Sequence, residues 1–368
     1  MGKQEIKGTF TLLFGICVLA LSGATAAAHW AGNYHPTEST IMPLLGNSLP
    51  VLIVVCLLAT ILFLLLRKPF WALLPLVAIG INWNYLTAII QFNSQQEWPV
   101  QAEEPLPYLT VATYNVHNFG NEVTGYSCKQ IAQRMAAEQV DVLCFQEFLG
   151  NHNFPLDSIR TALSHWEYQL FTDQLPQGEE VLPMAVFSRY PLSGAQLICY
   201  PDSHNSSLKC DVLMATGDTI RLFCNHLQTT SISQKRSDWE RELSTDDTRR
   251  EAQALKNAAE TLHTNLIKRA YQADSLYQLT SASPYPVVLC GDLNSLPSSY
   301  TYHRLTNLLT DGFKDCGRGY MRTYRQGKGL ARIDYILYSP QLAGVRYTSP
   351  SWNLCSDHNP VLATVRVK

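Results

Sequence analysis

The first 96 residues contain three long apolar runs, whereas the rest of the chain alternates short apolar runs with polar ones. The long runs cover residues 8–28, 41–66 and 69–92, and none of them carries a charged side chain. Each reaches the roughly 20 residues that a helix needs to cross the hydrocarbon core of a bilayer. The pattern therefore predicts a membrane anchor over residues 1–96 with about three transmembrane helices.

Two of these runs are open to another interpretation. Lys3 and Lys7 precede the first run and small residues end it, which is also the pattern of a cleavable signal peptide. The third run is the least apolar, because Asn82 and Asn84 lie in its second half. Two more runs follow the first, so we expect anchoring whether or not the first is removed.

Lysine and arginine residues predict the orientation of this anchor. Lys3 and Lys7 precede the first run. Arg67 and Lys68 lie between the second and third runs, whereas residues 29–40 contain no lysine or arginine. The positive-inside rule places the basic positions in the cytoplasm, so three crossings leave the rest of the chain outside. If the third run lies only in the membrane interface, the rest of the chain faces the cytoplasm instead.

A second domain follows a linker. Residues 97–107 are rich in Glu and Pro and predict the linker, and residues 108–368 contain recurring short apolar or β-branched runs. Some of these runs alternate with polar residues, while others are continuous, as in strands covered on both faces. The pattern predicts an α/β domain with mixed sheets. The predicted strands are Leu109–Tyr114, Val140–Phe145, Met184–Ser188, Leu208–Met214, Ile220–Cys224, Pro286–Cys290, Ile333–Tyr338 and Val361–Val367.

Two stretches predict helices, Tyr126–Glu138 and Ser233–Ala273. The second is long, charged and nearly free of Gly and Pro. Its apolar spacing predicts one buried face, formed by Ala252, Leu255, Ala259 and Leu262. Three basic pairs on the same helix are expected to form a solvated face: Lys235-Arg236, Arg249-Arg250 and Lys268-Arg269.

The charge of residues 97–368, the linker and the second domain together, is mildly acidic. Four of the 28 basic residues and two of the 30 acidic residues precede residue 97, which leaves 24 basic and 28 acidic groups and a formal net charge of −4. This balance gives no electrostatic footprint for long nucleic-acid tracts, although a small basic patch is still compatible with it.

Cysteines occur both within strands and near turns. Cys144, Cys224 and Cys290 lie in apolar strand patterns and are expected to be buried free thiols. Cys199 and Cys210 flank a predicted hairpin turn, so a disulfide between them is expected if the domain is exported.

Polar residues cluster where the predicted strands end. A single Asp, Asn or His after a strand usually forms a turn or a core hydrogen bond, but here six strand ends share the pattern, which is typical of a site. Asp292 and Asn294 are two apart and point the same way on an extended chain, and Gly291 permits close backbone approach. The candidate residues are Asn115, Glu147, His226, Asp292, Asn294, Asp334, Asp357 and His358.

These motifs, in this order, resemble the endonuclease/exonuclease/phosphatase family. The resemblance spans roughly residues 109–368 and leaves the anchor outside. It implies a four-layer sandwich of two mixed β-sheets flanked by helices, preceded here by the transmembrane helices. Family members cleave phosphoesters in DNA, RNA, phosphoinositides or sphingomyelin. The matching segments are 113–116, 145–147, 225–227, 291–294, 332–337 and 356–361.

The residue types suit hydrolysis by an activated water with help from a metal ion. Glu147 is a hard oxygen ligand suited to Mg²⁺ (or Mn²⁺), and Asn115 and Asp357 are expected to complete the metal shell. Asn115 and Asn294 are also expected to direct donors toward the phosphate or the metal-bound shell.

The remaining candidates are expected to move protons or stabilise charge. Asp292 would orient or deprotonate the attacking water. His358, oriented and kept protonated by Asp334, would donate to the charge that develops on the phosphoryl group, and His226 would donate to another phosphate oxygen.

Two positions depart from the pattern of the DNA-repair members. His117 stands where they often carry an acid, which leaves a strict two-metal site in doubt. They also place a Tyr where this chain has His226, and His226-Leu227-Gln228 is more similar to the secreted DNase and sphingomyelinase branches.

Three functions follow from these observations. The first is a metal-dependent hydrolase that acts at the membrane surface on a lipid headgroup or small phosphoester. The second is an extracytoplasmic, membrane-bound nuclease acting on DNA or RNA. The third is a binding module without activity, and the complete set of polar residues argues against it. The expected location is the plasma membrane or bacterial inner membrane with the second domain outside, and the sequence indicates no protein partner.

Overall fold

The structure, a computed structural model, describes residues 3–94, 108–175, 180–230, 248–326 and 329–368, with side chains from residue 14 onward and from residue 252 in the long helix. The predicted linker over residues 97–107 and the first part of the predicted long helix lie outside these ranges.

The N-terminal part is a bundle of helices. Its elements are α1 (Lys3–Ala27), a 3₁₀ turn (Ala28–Asn33), α2 (Ile41–Leu65), α3 (Pro69–Ile81) and α4 (Trp83–Ile89). Within the described residues, two segments are long and apolar enough to cross a bilayer, Phe14–Asn33 and Ile41–Leu65. The anchor is therefore compatible with membrane insertion, as the apolar pattern predicts.

The apolar run from 69 to 92 predicts one transmembrane helix, but the structure divides it into two helices. α3 and α4 meet at an angle of 67° and count as a third span only if the bent pair crosses together. Asn82 lies at the bend, where its side-chain amide donates to the carbonyls of Thr25 (2.8 Å) and Ala78 (3.0 Å). After α4 the chain becomes extended as β1 (Ile90–Phe92). A polar residue that binds backbone groups inside the bundle favours this break.

The second part contains two six-stranded sheets. The first sheet holds β2 (Tyr108–Asn115), β3 (Val142–Gln146), β4 (Tyr168–Phe171), β5 (Met184–Ser188), β13 (Leu342–Thr348) and β14 (Val361–Val367). The second holds β6 (Leu192–Cys199), β7 (Ser206–Leu213), β8 (Thr219–His226), β9 (Val287–Asp292), β10 (Thr310–Asp311) and β12 (Asp334–Tyr338).

Both sheets are mixed. The strand orders are β13-β14-β2-β3-β5-β4 and β10-β12-β9-β8-β7-β6. The pairs β2–β3 and β8–β9 are parallel, and the other pairs in these sheets are antiparallel. A short strand β11 (Arg318–Tyr320) pairs with β1 and so joins the second part to the anchor.

Helices cover the outer face of each sheet. α5 (Tyr126–Ala137) and α6 (Leu156–Ala162) pack on the first sheet, and α7 (Thr248–Ser281) and α8 (Tyr300–Thr306) pack on the second. A short α9 (Gly312–Cys316) follows β10. A third apolar cluster fills the space between the sheets. Strands β3, β5, β9 and β12 are buried at every position because both of their faces are covered. The predicted four-layer sandwich is confirmed.

The long helix buries a different face from the one predicted. Leu255, expected in the core, is 61% exposed, and Ala252 and Ala259 are also exposed. Apart from Ala254, the buried side chains belong to the C-terminal half and include Leu266, Arg269, Ala270, Ala273 and Leu276. Only this half joins the apolar cluster on the second sheet, so most of the described side chains in the N-terminal half stay exposed. The prediction of Lys268-Arg269 as a solvated pair is wrong for Arg269.

The predicted hairpin is present, but its disulfide is not. Cys199 lies opposite Ser206 at the end of β6, whereas Cys210 is four residues further along β7. Cys199 is exposed and Cys210 is buried, and both are free thiols. The register separates them by four residue steps, far more than a disulfide can bridge. Cys144, Cys224 and Cys290 are fully buried free thiols, as predicted.

Candidate active site

The predicted polar residues meet at one end of the sandwich. In the first sheet, β2 ends at Asn115, and its parallel neighbour β3 ends directly before Glu147. In the second sheet the parallel strands β8 and β9 end at His226 and Asp292, which lie opposite each other. Strand β12 runs the other way and begins at Asp334, which is paired with Asp292. Because the two sheets pack face to face, these strand ends form one site.

Glu147 joins the two sheets through Asn115. The Asn115 side-chain amide donates to Glu147 Oε1 (3.0 Å) and to Asp292 Oδ2 (3.2 Å). On its other side, Glu147 Oε2 lies 3.2 Å from His117 Nδ1. Glu147 has a φ of 50°, in the left-handed region, where a non-glycine residue is strained. Such strain is typical of functional positions.

The surroundings of Glu147 keep its carboxylate ionised. Burial raises its pKa, but the hydrogen bonds from His117 and from the Asn115 amide help to outweigh burial and lower the pKa to about 2. Glu147 is therefore an anion at neutral pH and is available to a cation.

His226 lies between the two acidic residues and is 1% exposed. Its Nε2 is 3.8 Å from both Glu147 Oε1 and Asp292 Oδ2, and neither ring nitrogen has a hydrogen-bond partner within the described residues. Burial lowers the pKa of His226 to about 4 despite the charge of Glu147. The ring is therefore neutral, with one donor and one acceptor. A buried polar group without a partner is rare, so a bound ligand is the expected partner.

The end of β9 depends on a glycine. Gly291 has a φ of 135°, and a Cβ atom there would lie 2.0 Å from the carbonyl oxygen of Asn225 on β8. The following Asp292 accepts the backbone N–H of Asn294 at Oδ1 (2.9 Å). Burial and the nearby charge of Asp334 raise the pKa of Asp292. A carboxylate of raised pKa is a stronger base for a water molecule.

Asn294 connects two loops of the site. Its side-chain amide donates to the carbonyl of Leu227 (3.0 Å), and its own carbonyl accepts from Arg269. These contacts hold the segments that follow β8 and β9. The expected role of Asn294 as a donor to phosphate stays a prediction.

His358 and Asp334 form a buried ion pair, as expected. His358 Nδ1 is 2.9 Å from Asp334 Oδ2 and 3.1 Å from Oδ1, and its Nε2 is 3.7 Å from Asp292 Oδ2. Burial disfavours the charged ring, but the carboxylates of Asp334 and Asp292 outweigh burial and raise the pKa of His358 to about 10. His358 is therefore an imidazolium whose Nε2–H points toward the other site residues.

Asp357 lies beside this pair at the edge of the site. Its Oδ1 is 4.0 Å from His358 Nε2, and its Oδ2 accepts from the side chain of Gln326 (3.2 Å). Its side chain is partly exposed. The expected role of Asp357 as a metal ligand stays a prediction.

Two groups of residues have the donor atoms that a divalent metal requires. Ligand atoms of Asp292, Asp334 and His358 all lie within 4.8 Å of one another. However, an imidazolium has no lone pair to offer, and His358 Nδ1 already binds Asp334. Glu147 is ionised, and the neutral ring of His226 and the Asn115 amide lie beside it. We therefore consider Glu147 the better centre for a hard cation.

Arg269 supports the site, although the sequence pattern did not indicate it. Its fully buried guanidinium donates to Thr230 Oγ1 (2.9 Å) and to the Asn294 carbonyl. Burial lowers its pKa to about 10, so it stays charged at neutral pH. Its helical spacing could have indicated burial, because Arg269 lies on the same helix face as the apolar residues Ala273 and Leu276.

The sandwich and its site define a class of protein. Buried carboxylates, a neutral histidine and an imidazolium meet at one end of two packed sheets, which suits activation of water beside a phosphoryl group. The sequence profile described as "Endonuclease/Exonuclease/phosphatase family" matches residues 112–358. The chain belongs to this family.

Solved structures share the fold. An endonuclease/exonuclease/phosphatase from Beutenbergia cavernae superposes with a TM-score of 0.50 and 19% identity, over 71% of this chain and 72% of that one. A protein of the same description from Bacteroides vulgatus superposes with a TM-score of 0.50 and 17% identity, over 71% of this chain and 99% of that one. TDP2 from C. elegans superposes with a TM-score of 0.50 and 14% identity, over 71% of this chain and 75% of that one. No curated protein matches the chain.

Family membership defines the chemistry. The members are divalent-metal-dependent phosphoesterases and nucleases, and the chain is an enzyme of this class. It hydrolyses phosphoester bonds and requires a divalent metal ion.

Proposed function

We propose that this chain hydrolyses a phosphoester of a lipid headgroup or a small phosphoester at the membrane surface. The observation that carries the proposal is the direct packing of the second domain on the anchor. Ser298 Oγ donates to the Gly46 carbonyl (2.7 Å), and Arg332 donates to the Ala88 carbonyl (2.7 Å). Such contacts hold the site at a defined height above the bilayer. We propose the division into an anchor (1–96), a linker (97–107) and a catalytic domain (108–368).

The metal site of this proposal centres on Glu147, with Asn115 and Asp357 as further oxygen ligands for Mg²⁺ or Mn²⁺. When bound, the ion supplies positive charge to the phosphoryl and leaving oxygens. Asn115 also holds Glu147 and Asp292 together through its amide.

The chain's own residues perform the remaining tasks. Asp292 orients the attacking water and takes its proton, which its raised pKa favours. His358 donates from Nε2 to the phosphoryl oxygen on which negative charge develops, while Asp334 orients the ring from Nδ1. The neutral ring of His226 donates to another phosphoryl oxygen, and Asn294 positions the loops on either side.

We also propose that the catalytic domain faces away from the cytoplasm. The anchor residues that contact it, such as Gly32, Gly46 and Ala88, lie at one end of the bundle. Arg67 and Lys68 follow the far end of α2. By the positive-inside rule that far end is cytoplasmic. The lipid bilayer is then the partner of the anchor.

An extracytoplasmic, membrane-bound nuclease is the second candidate, because the description of the family includes endonucleases and exonucleases. The net charge of −4 over residues 97–368 makes long nucleic-acid tracts the less favoured substrate.

A substrate panel with the full-length protein in lipid nanodiscs tests this proposal. It contains sphingomyelin, phosphoinositides, a small phosphodiester, DNA and RNA, with His358→Ala as the low-activity control. We expect the highest kcat/KM on a lipid or small ester. A higher value on DNA or RNA would select the nuclease instead.

A further inference from the structure

We infer that the outer end of the anchor is a positioning element of the active site, in addition to attaching the domain to the membrane. Three separate contacts connect the anchor to the two strands that carry the catalytic acids. This inference rests on the site residues proposed above.

The first contact runs through the small sheet formed by β1 and β11. Directly after β11, the backbone N–H of Met321 donates to the carbonyl of Ile89 (2.8 Å). Two residues later, Thr323 Oγ1 accepts the backbone N–H groups of Ile333 (2.9 Å) and Asp334 (3.0 Å). The end of α4 therefore determines where the start of β12 lies.

The second contact is a fully buried arginine. Arg332 donates through Nη1 to the Ala88 carbonyl (2.7 Å), and both of its terminal nitrogens bind Asp311 (2.6 and 2.7 Å). Arg332 is two residues from Asp334. Tyr335 OH also lies 2.7 Å from both the Arg332 carbonyl and the Ser295 carbonyl, so the same arginine is linked to the loop that follows β9. Breaking a contact of a buried guanidinium is costly, so movement of α4 is expected to displace Arg332.

The third contact holds the loop after β9 directly. Ser298 is four residues beyond Asn294, is buried, and donates through Oγ to the carbonyl of Gly46 (2.7 Å). The helices approach so closely that a Cβ atom at Gly46 would lie 2.8 Å from Ala31 Cβ and 3.1 Å from the Ser298 carbonyl. Any side chain at position 46 must therefore move the 3₁₀ turn, the active-site loop or α2 itself, and α2 carries the carbonyl that accepts from Ser298.

The consequence is that the geometry of Asp292 and Asp334 depends on the packing of the anchor. Catalytic groups lose rate steeply when they are misplaced by about 1 Å. Contacts through packed, hydrogen-bonded groups transmit such displacements.

The test compares the same substitution at three glycines of the anchor. Gly46→Ala adds a methyl group at the contact, whereas Gly23→Ala and Gly80→Ala add it where no heavy atom lies within 4 Å. The full-length variants are assayed in lipid nanodiscs on a soluble chromogenic phosphodiester, so that access of a lipid substrate to the site does not affect the measured rate. We expect Gly46→Ala to lower kcat on the order of tenfold with KM nearly unchanged, because the acids are misplaced while the binding groups remain. Both controls are expected to match the wild type.

A rescue and an independent readout complete the test. Ala31→Gly removes the nearest atom and should restore most of the kcat of Gly46→Ala. Ser298→Ala adds no bulk but removes the hydrogen bond to Gly46, and it should lower kcat by a smaller factor than Gly46→Ala. Hydrogen exchange of residues 292–299 should be faster in Gly46→Ala and unchanged in Gly80→Ala. Wild-type kcat and wild-type exchange in both Gly46→Ala and Ser298→Ala would overturn the inference. A wild-type protein that hydrolyses no phosphoester would contradict the proposed function, and the exchange measurement would still decide this inference.

Discussion

The pairing of His358 with Asp334 makes a quantitative prediction about turnover. Asp334 lies 2.9 Å from His358 Nδ1, and both side chains are almost fully buried. Asp334→Asn keeps the size of the residue but removes the ionised acceptor, while His358→Ala removes the donor itself. Both changes are expected to damage kcat more than KM, because the interaction strengthens as charge develops on the phosphoryl group.

The magnitudes follow from the geometry. A hydrogen bond to a charged group contributes about 1.5–3 kcal/mol, so Asp334→Asn is expected to lower kcat by roughly 10- to 150-fold. Loss of a donor to a developing oxyanion costs about 10²–10³ in rate, which is the expectation for His358→Ala. Without the imidazole, Asp334 has no ring to orient. The double variant should therefore be about as slow as His358→Ala alone.

The assay is steady-state kinetics on the wild type, both single variants and the double variant, with thermal unfolding to verify folding. Asp211→Asn is the matched control, because Asp211 binds Arg221 (2.8 and 2.9 Å) on β7 and β8 outside the active site. Its kcat should equal that of the wild type. If the two single losses multiply in the double variant, His358 and Asp334 act independently and the pairing proposed here is wrong.

Three further predictions concern the metal, the topology and the buried arginine. Chelation should abolish turnover, and Mg²⁺ or Mn²⁺ should restore it. Glu147→Gln should raise the metal concentration needed for half-maximal activity. Full activity in chelator would contradict the metal site. A reporter fused after Lys368 that functions only outside the cytoplasm should be active, and activity of a reporter that functions only in the cytoplasm would reverse the proposed topology. Arg269→Met should lower kcat and reduce the free energy of unfolding by about 1–3 kcal/mol, because the Asn294 carbonyl loses its buried donor. Unchanged unfolding in urea would show that this contact is dispensable.

The local pattern of the chain predicted much of the fold and the candidate site. Strands β5 and β14 have the bounds that the apolar runs predicted, and the parallel pairs β2–β3 and β8–β9 end where polar residues were expected. This was possible because a strand covered on both faces must be apolar along its whole length, and because the groups that serve chemistry follow where the apolar run stops. The charge-free runs of the anchor are local in the same way, since crossing a bilayer requires only length and apolarity.

Other features were decided only by which surfaces meet in the tertiary structure. The apolar spacing in the N-terminal half of α7 predicted a buried face, but only the C-terminal half lies over a sheet, so Leu255 is exposed and Arg269 is buried. Cys199 and Cys210 flank one turn, yet the register of β6 and β7 keeps them apart. The contacts of Gly46 and Ala88 with the catalytic domain join segments more than 240 residues apart. Burial and hydrogen bonding at these positions depend on neighbours that are distant along the chain, and a local pattern carries no information about those neighbours.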